Sequence, residues 1–245
     1  MRKILVISII LSTVALAQND GLVKTYYPSG ALETEGNYTN GVRDGLWTFW
    51  YEGEVYQDYG DDGEPNTQDE GEGNSEWDST ETVLLDLDGD TFFDPPKKQM
   101  EGSYSLGNRE GLWTTWYLNS MRKEESNYTS GKLNGTIIRW YENGNKSEDG
   151  VYETGKQNGI WIWYYKTGIK KEQTRFVDGQ QDGLWLQWFT DGAKKSERKF
   201  TNGERDSLWT SWYENGNKKF QATYANGKLN GSWTSWYENG IIKEK

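Results

Sequence analysis

The residues whose types and spacing could do chemistry lie in an acidic segment of the chain. Asp86, Asp88, Asp90 and Asp94 place carboxylates at mostly alternate positions around Gly89. Because Ca²⁺ takes about six to eight hard oxygen ligands, this spacing predicts a calcium site. The match to an EF-hand loop is partial, since the sixth position is not glycine and the twelfth is not glutamate. The alternative is a solvated acidic loop that its own charge keeps extended.

The composition argues against catalysis. The chain has no cysteine and no histidine, which excludes disulfides and thiol nucleophiles and removes the commonest general base. The acidic segment offers carboxylate pairs, but nothing there supplies the apolar pocket that separates an acid from a base. We therefore predict a protein that is not an enzyme and requires no cofactor, with Ca²⁺ as the one metal that the sequence suggests.

The net charge is concentrated in one segment. Between Arg43 and Lys97 there are 17 acidic residues and no basic one. The whole chain has a net charge of −11, but the residues outside that segment carry 27 basic and 21 acidic side chains and net +6. The overall charge is therefore a poor guide to whether the chain repels nucleic acid or attracts cations. We predict no nucleic-acid partner.

The N-terminal residues 1–17 read as a secretory signal peptide. Arg2 and Lys3 precede a short apolar run, and Ala15-Leu16-Ala17 follows as a cleavage site. The run is shorter than the ~20 apolar residues of a membrane span. The alternative, a buried N-terminal strand, does not explain the order of the three zones. We expect a mature chain of residues 18–245 without a transmembrane segment, exported to the periplasm, the outer surface or the medium.

The rest of the chain is a tandem repeat with a period of 24 residues. Each copy begins with an aromatic starter residue, followed by two glycine positions and three aromatic columns. The starters are Tyr104, Tyr128, Tyr152, Phe176, Phe200 and Tyr224. The first column is Trp113, Ile137, Trp161, Trp185, Trp209 and Trp233, the second is Trp116, Trp140, Tyr164, Trp188, Trp212 and Trp236, and the third is Tyr117, Tyr141, Tyr165, Phe189, Tyr213 and Tyr237. Fixed self-similarity of this length predicts a linear repeat array.

The sequence of each copy predicts one β-hairpin. Leu112 to Tyr117 is dense in aromatic and β-branched residues, which favours a strand. Asn-Gly pairs predict tight primed turns, because both central residues then need positive φ; these are Asn143-Gly144, Asn215-Gly216 and Asn239-Gly240. We expect residues 225–231 to form a longer glycine-rich loop to the next copy. The fold class is all-β: an elongated, twisted antiparallel sheet of tandem hairpins, in which rings stack from repeat to repeat.

The acidic segment interrupts this array. Tyr51 precedes the starter Tyr104 by 53 residues, whereas Tyr117 precedes Tyr128 by 11. Forty-two residues are therefore inserted at about 54–95, at a position where other copies have a turn. The insertion enlarges one turn and leaves the repeats on both sides intact.

The repeat resembles the bacterial variant of the MORN repeat. The pattern Tyr-x-x-Gly-Lys-x-x-Gly-x-Trp-x-x-Trp-Tyr-x-x-Gly runs from Tyr224 to Gly240, and a close version runs from Tyr152 to Gly168. Proteins with this repeat are often labelled antitoxins of the YwqK type. MORN arrays in general look like scaffolds for interactions, and lipid binding is claimed for some of them. The resemblance implies an extended antiparallel sheet and a non-enzymatic role in binding an unknown protein partner. A signal peptide conflicts with an antitoxin acting in the cytoplasm.

Two further binding modes stay open. Exposed Trp and Tyr rings could stack on a glycan, although the columns are already needed to bury the sheet. Lysine pairs recur 24 residues apart and would form a positive row that attracts an anionic envelope surface, although edge lysines also block aggregation of sheets; the pairs are Lys170-Lys171, Lys194-Lys195 and Lys218-Lys219. We predict an exported interaction scaffold, with a carbohydrate-binding module and an antitoxin-like protein as alternatives.

Overall fold

The computed structural model describes residues 20–53, 55–57, 82–85 and 96–245. Within these ranges the chain forms nineteen strands and no helix. The strands are β1 (Gly21–Tyr26), β2 (Leu32–Thr39), β3 (Val42–Trp50), β4 (Val55–Gln57), β5 (Thr82–Leu85), β6 (Lys98–Ser105), β7 (Asn108–Trp116), β8 (Arg122–Thr129), β9 (Lys132–Trp140), β10 (Lys146–Glu153), β11 (Lys156–Tyr164), β12 (Lys170–Val177), β13 (Gln180–Gln181), β14 (Gly183–Trp188), β15 (Lys194–Thr201), β16 (Glu204–Trp212), β17 (Lys218–Ala225), β18 (Lys228–Trp236) and β19 (Ile242–Glu244).

Seventeen of these strands form one antiparallel sheet in which each strand pairs with the next along the chain, except that β13 and β14 both pair with β12. β4 and β5 lie outside this sheet and pair with each other. The sheet continues across residues 54–95 because β3 pairs directly with β6. Trp50 lies opposite Lys98 in the register that places Trp116 opposite Arg122. The prediction of an all-β antiparallel sheet of consecutive hairpins is confirmed.

The two kinds of turn are the reverse of the sequence prediction. Asn226 and Gly227 have φ of 49° and 76°, so the tight primed turn lies between β17 and β18. The expected long loop at 225–231 is wrong, because β18 already begins at Lys228. At Asn143-Gly144 the glycine has positive φ, and its N–H donates to the carbonyl of Tyr141. That pattern is a three-residue turn ending in a left-handed residue, which suits glycine.

The core is thin and lies on one face of the sheet, called here the tryptophan face. Its centre is the first aromatic column, in which Trp47, Trp113 and Trp161 are at most 1% exposed. Each indole lies against a small residue of the neighbouring strand. At Gly102, an added Cβ would come within 3.0 Å of the Trp113 ring. Glycine there lets the ring lie on the backbone, and this close packing compensates for a core without a second layer.

From Tyr38 to Phe176 the starter rings meet the first-column rings edge to face, whereas in the C-terminal copies they are tilted, as for Trp209 and Tyr224 at 46°. Starter tyrosines alternate with first-column tryptophans: Tyr104 lies 4.9 Å from Trp113 at 85°, and Tyr152 lies 5.0 Å from Trp161 at 86°. The expectation of stacking is therefore corrected for these starter contacts, while Phe220 and Trp233 do stack, at 30°. Edge-to-face contact directs the positive ring edge at the negative face of its neighbour, which flat stacking does not.

Candidate functional site

On the tryptophan face, arginine side chains lie over the rings of first-column tryptophans. The guanidinium carbons of Arg43 and Arg109 lie 4.3 and 4.4 Å from the ring centroids of Trp47 and Trp113. Arg109 also donates a hydrogen bond to the hydroxyl of Tyr128, at 3.2 Å. Sequence reasoning missed this row, although the residues recur at one repeat position, directly after the first residue of a strand. Their planar cations can stack on indole and still present charge to a ligand.

A separate arginine on this face is fully ion-paired. Arg139 binds Glu124 at 2.7 Å and Glu148 at 2.5 Å, on the strands to either side. These carboxylates raise the pKa of Arg139 well above its usual value, although burial acts in the opposite direction. Arg139 therefore has its charge balanced by the protein and is a poor candidate for binding an external anion.

The predicted lysine row exists along one long side of the sheet, but its charges are partly engaged. Lys194 binds Glu197 at 2.7 Å, whereas Lys218 donates to the neutral amide of Gln221 at 3.2 Å. The second lysine of each pair lies over a third-column ring, as Lys195 does over Phe189 at 5.6 Å. Cation–π contact leaves the ammonium groups exposed, so this side of the sheet stays basic.

The opposite face of the sheet carries a row of exposed aliphatic side chains, called here the leucine stripe. Its members precede the first-column residue of their repeats: Leu46, Leu112, Ile160, Leu184 and Leu208, each 50–57% exposed. Leu22, which is 61% exposed, holds this position in the N-terminal half copy, and Thr136 and Ser232 take it in the two remaining copies. Because each repeat adds two strands, neighbouring members lie roughly 10 Å apart. Single exposed leucines are ordinary, but a row at one repeat position is an apolar feature, here interrupted at Thr136 and by polar residues of the intervening strands.

Basic residues alternate with the aliphatic ones at the C-terminal end of the stripe. Ile160 lies opposite Arg175, and Leu184 lies opposite Lys199. Lys199 forms an ion pair with Asp206 at 3.6 Å, and its side chain is 46% exposed. This part of the stripe therefore combines apolar contact area with positive charge.

A cavity of about 440 Å³ opens on the tryptophan face near β14, β15 and β16, called here the Arg198 cavity. Ser196, which is 1% exposed, lies at its floor beside Ser211, and Gln187 and Arg198 line its wall. Its other wall carries Phe189 and side chains from the turn region of the next two hairpins. A volume of this size lies within the range of small-molecule sites. The sequence did not predict this cavity.

The predicted calcium ligands Asp86, Asp88, Asp90 and Asp94 lie outside the described residues, as does the predicted signal peptide at 1–17. Calcium binding and export therefore stay predictions. Across the ranges that the structure does describe, no three acidic side chains converge as they would around a metal ion. In the same ranges no helix is long and apolar enough to cross a membrane.

A family model described as the MORN repeat variant matches the chain at residues 19–40, 157–178, 205–226 and 229–245. Each matched stretch corresponds to one hairpin, such as β11 with β12 or β16 with β17. The repeat unit of the model therefore begins after a tight primed turn and spans the three-residue turn. The resemblance to this repeat is confirmed at these four stretches, which make up about a third of the chain. No curated protein matches the sequence.

Proposed function

We propose that this protein is a non-enzymatic interaction scaffold whose leucine stripe binds a protein partner. The observation that carries the proposal is the exposure of Leu46, Leu112, Ile160, Leu184 and Leu208 in one row. MORN repeats generally mediate protein or membrane interactions, and four stretches of this chain are similar to them.

The chemistry of the stripe indicates the kind of partner. Large apolar side chains in a line favour a complementary apolar ridge, because burial contributes about 25 cal/mol per Å². Arg175 and Lys199 lie beside the aliphatic residues and favour carboxylates on the partner. Opposite charges at the rim speed association and fix the register. The partner that fits is a protein surface with an apolar ridge bordered by acidic side chains.

The binding experiment compares capture of proteins from the native envelope by the wild-type chain and by a triple variant. Ile160→Gln, Leu184→Gln and Leu208→Gln remove three successive members of the leucine stripe without changing the tryptophan face. We expect the partner to bind the variant about tenfold more weakly or worse, because central apolar contacts dominate interface energies. Leu118→Gln, at a side chain that is 60% exposed in a hairpin turn outside the stripe, is the matched control. Equal binding by wild type and triple variant would contradict the proposal.

The proposed setting is the cell envelope or the medium, because residues 1–17 have the zones of a signal peptide. Intact-mass measurement on protein from the native host tests export: loss of residues 1–17 supports it, and a full-length mass contradicts it. The antitoxin-like role implied by the resemblance is a separate proposal that the fold and the family match leave untested.

A further inference from the structure

The repeat that contains Arg198 departs from the other copies where it lines the cavity. The position of Arg198 holds a small residue elsewhere, against which the first-column residue packs: Gly36, Gly102, Ser126, Gly150, Thr174 and Ala222. In the same repeat Phe189 replaces the third-column tyrosine. The indole N–H of Trp185 is buried and has no hydrogen-bond partner among the described residues, whereas that of Trp161 donates to the carbonyl of Val151 at 3.1 Å. These departures are adjacent in space, so this repeat does more than extend the sheet.

Arg198 is held between two indoles. Its guanidinium carbon lies 4.7 Å from the ring centroid of Trp185 and 5.4 Å from that of Trp209. Burial lowers the pKa of Arg198, and Glu172 partly opposes that effect. Among the described residues, no hydrogen bond or ion pair involves this guanidinium. A guanidinium has five N–H donors, so this one is positioned by rings while none of its donors is bonded to a protein acceptor among the described residues.

Arg139 lies on the same face as Arg198 but, unlike Arg198, is bound by two carboxylates. Its two glutamate partners, Glu124 and Glu148, occupy one repeat position, and Glu172 follows at that position in the next copy. In the copy with Arg198 this position is Ser196, whose hydroxyl donates to Gln187 at 2.9 Å. The repeat that gains a half-buried arginine therefore lacks the carboxylate at its own copy of this position. An external carboxylate would replace it and could accept two parallel N–H bonds.

The other residues that line the cavity limit which kind of ligand could supply that carboxylate. Glu214 and Glu238 also line the cavity, as do Lys195 and Lys219. With Arg198 the lining therefore carries a net charge of +1, which suits a ligand with a single negative charge. Carboxylates, serine hydroxyls and the amide of Gln187 are suitable partners for neutral hydroxyl groups. The rings of Phe189 and Tyr213 line the cavity, each with a lysine over it, at 5.6 and 5.4 Å. A ligand with one carboxylate, several hydroxyls and an apolar ring face fits this set.

We propose that the Arg198 cavity binds a uronic acid unit of an acidic saccharide, with Arg198 bound to its carboxylate and Glu214 and Glu238 accepting from its hydroxyls. This inference goes beyond the scaffold function, because the cavity and the leucine stripe lie on opposite faces of the sheet. An acidic peptide is the competing class, and the two glutamates disfavour it.

The test is isothermal titration calorimetry of the full chain with a glucuronate-containing disaccharide. Its controls are the neutral disaccharide of the same linkage and a tetraglutamate peptide. We expect saturable binding of the acidic disaccharide, weakened about tenfold or more in Arg198→Gln, because hydrogen bonds between charged groups are the strong ones. Arg109→Gln, which uncovers Trp113 on the same face, should bind like the wild type.

Indole N–H resonances of the unsubstituted chain supply a readout that does not depend on a variant. The signals of Trp185 and Trp209 should shift with the acidic disaccharide, because these rings hold the Arg198 guanidinium. Absence of binding and of shifts, equal binding of the neutral disaccharide, or stronger binding of tetraglutamate would each overturn the proposal.

Discussion

The hydroxyl of Tyr117 donates a hydrogen bond of 2.7 Å to the main-chain carbonyl of Trp140, the second-column residue of the next repeat. The same bond, at 2.7–2.9 Å, recurs along the array; the other donors are Tyr27, Tyr51, Tyr141, Tyr165 and Tyr213. Each tyrosine ties its hairpin to the following one, which explains why this column keeps a hydroxyl. Phe189 lacks that hydroxyl and leaves the carbonyl of Trp212 without this donor.

Phe189→Tyr should restore the missing link. We expect an increase of about 0.5–1.5 kcal/mol in the free energy of unfolding, the usual net value of one hydrogen bond. Tyr165→Phe, which removes the equivalent bond to Trp188, should cost a similar amount. Urea denaturation measures both. A loss in Tyr165→Phe with no gain in Phe189→Tyr would show that the cavity wall cannot accommodate the hydroxyl.

Gly102→Ala should destabilise the sheet by about 1–3 kcal/mol, because the new methyl group overpacks the core against the Trp113 indole. The control is Ser126→Ala at the same repeat position in the next copy, which removes one hydroxyl and adds no volume. Thermal unfolding measures the melting temperatures of both variants. Equal melting temperatures would mean that the indole moves aside freely and that the small-residue position is not a packing requirement.

Truncation of the first column should depend on position in the array. Trp161→Ala should cost about 3–5 kcal/mol, as other large buried residues do, because Trp161 is 0% exposed and contacts three rings. Trp233→Ala should cost less, since Trp233 lies in the last repeat and is only partly buried. Comparable losses in urea denaturation would argue against a linear array.

The acidic insertion leads to a prediction about calcium. Millimolar Ca²⁺ should raise the melting temperature and slow proteolysis between residues 56 and 95, because a ligand of the ordered form stabilises it. Mg²⁺ should do so poorly, since it requires octahedral geometry and retains its waters. Asp88→Asn with Asp90→Asn should abolish the calcium effect. Identical cleavage with and without Ca²⁺ would leave the segment a solvated acidic loop.

The repeat period predicted the hairpins and their order because each copy places its aromatic residues in step. It assigned the turns wrongly because Asn-Gly occurs at both kinds of turn, as at Asn226-Gly227 and Asn239-Gly240. Only the backbone shows which of the two has positive φ at both residues.

The position of the small residues that pack against the first column could not be recognised from the sequence, for a different reason. Gly102, Ser126 and Thr174 share little beyond size, so no residue type marks the position. Sequence reasoning also ranked Trp185 with the rest of its column, whereas the structure leaves its indole N–H unbonded next to Arg198. The cavity was not predictable because residues from four strands and three turns form it, and no local pattern connects them.

Site-specific photo-crosslinking in the native host tests the scaffold proposal most directly. A photoreactive amino acid replaces Leu184 in the stripe or, as a control, Leu118, which is 60% exposed at a hairpin turn. The account predicts that residue 184 crosslinks to one distinct protein and that residue 118 does not. Crosslinking to that protein from residue 118 alone, or from neither position, would contradict a role for the leucine stripe in binding a partner.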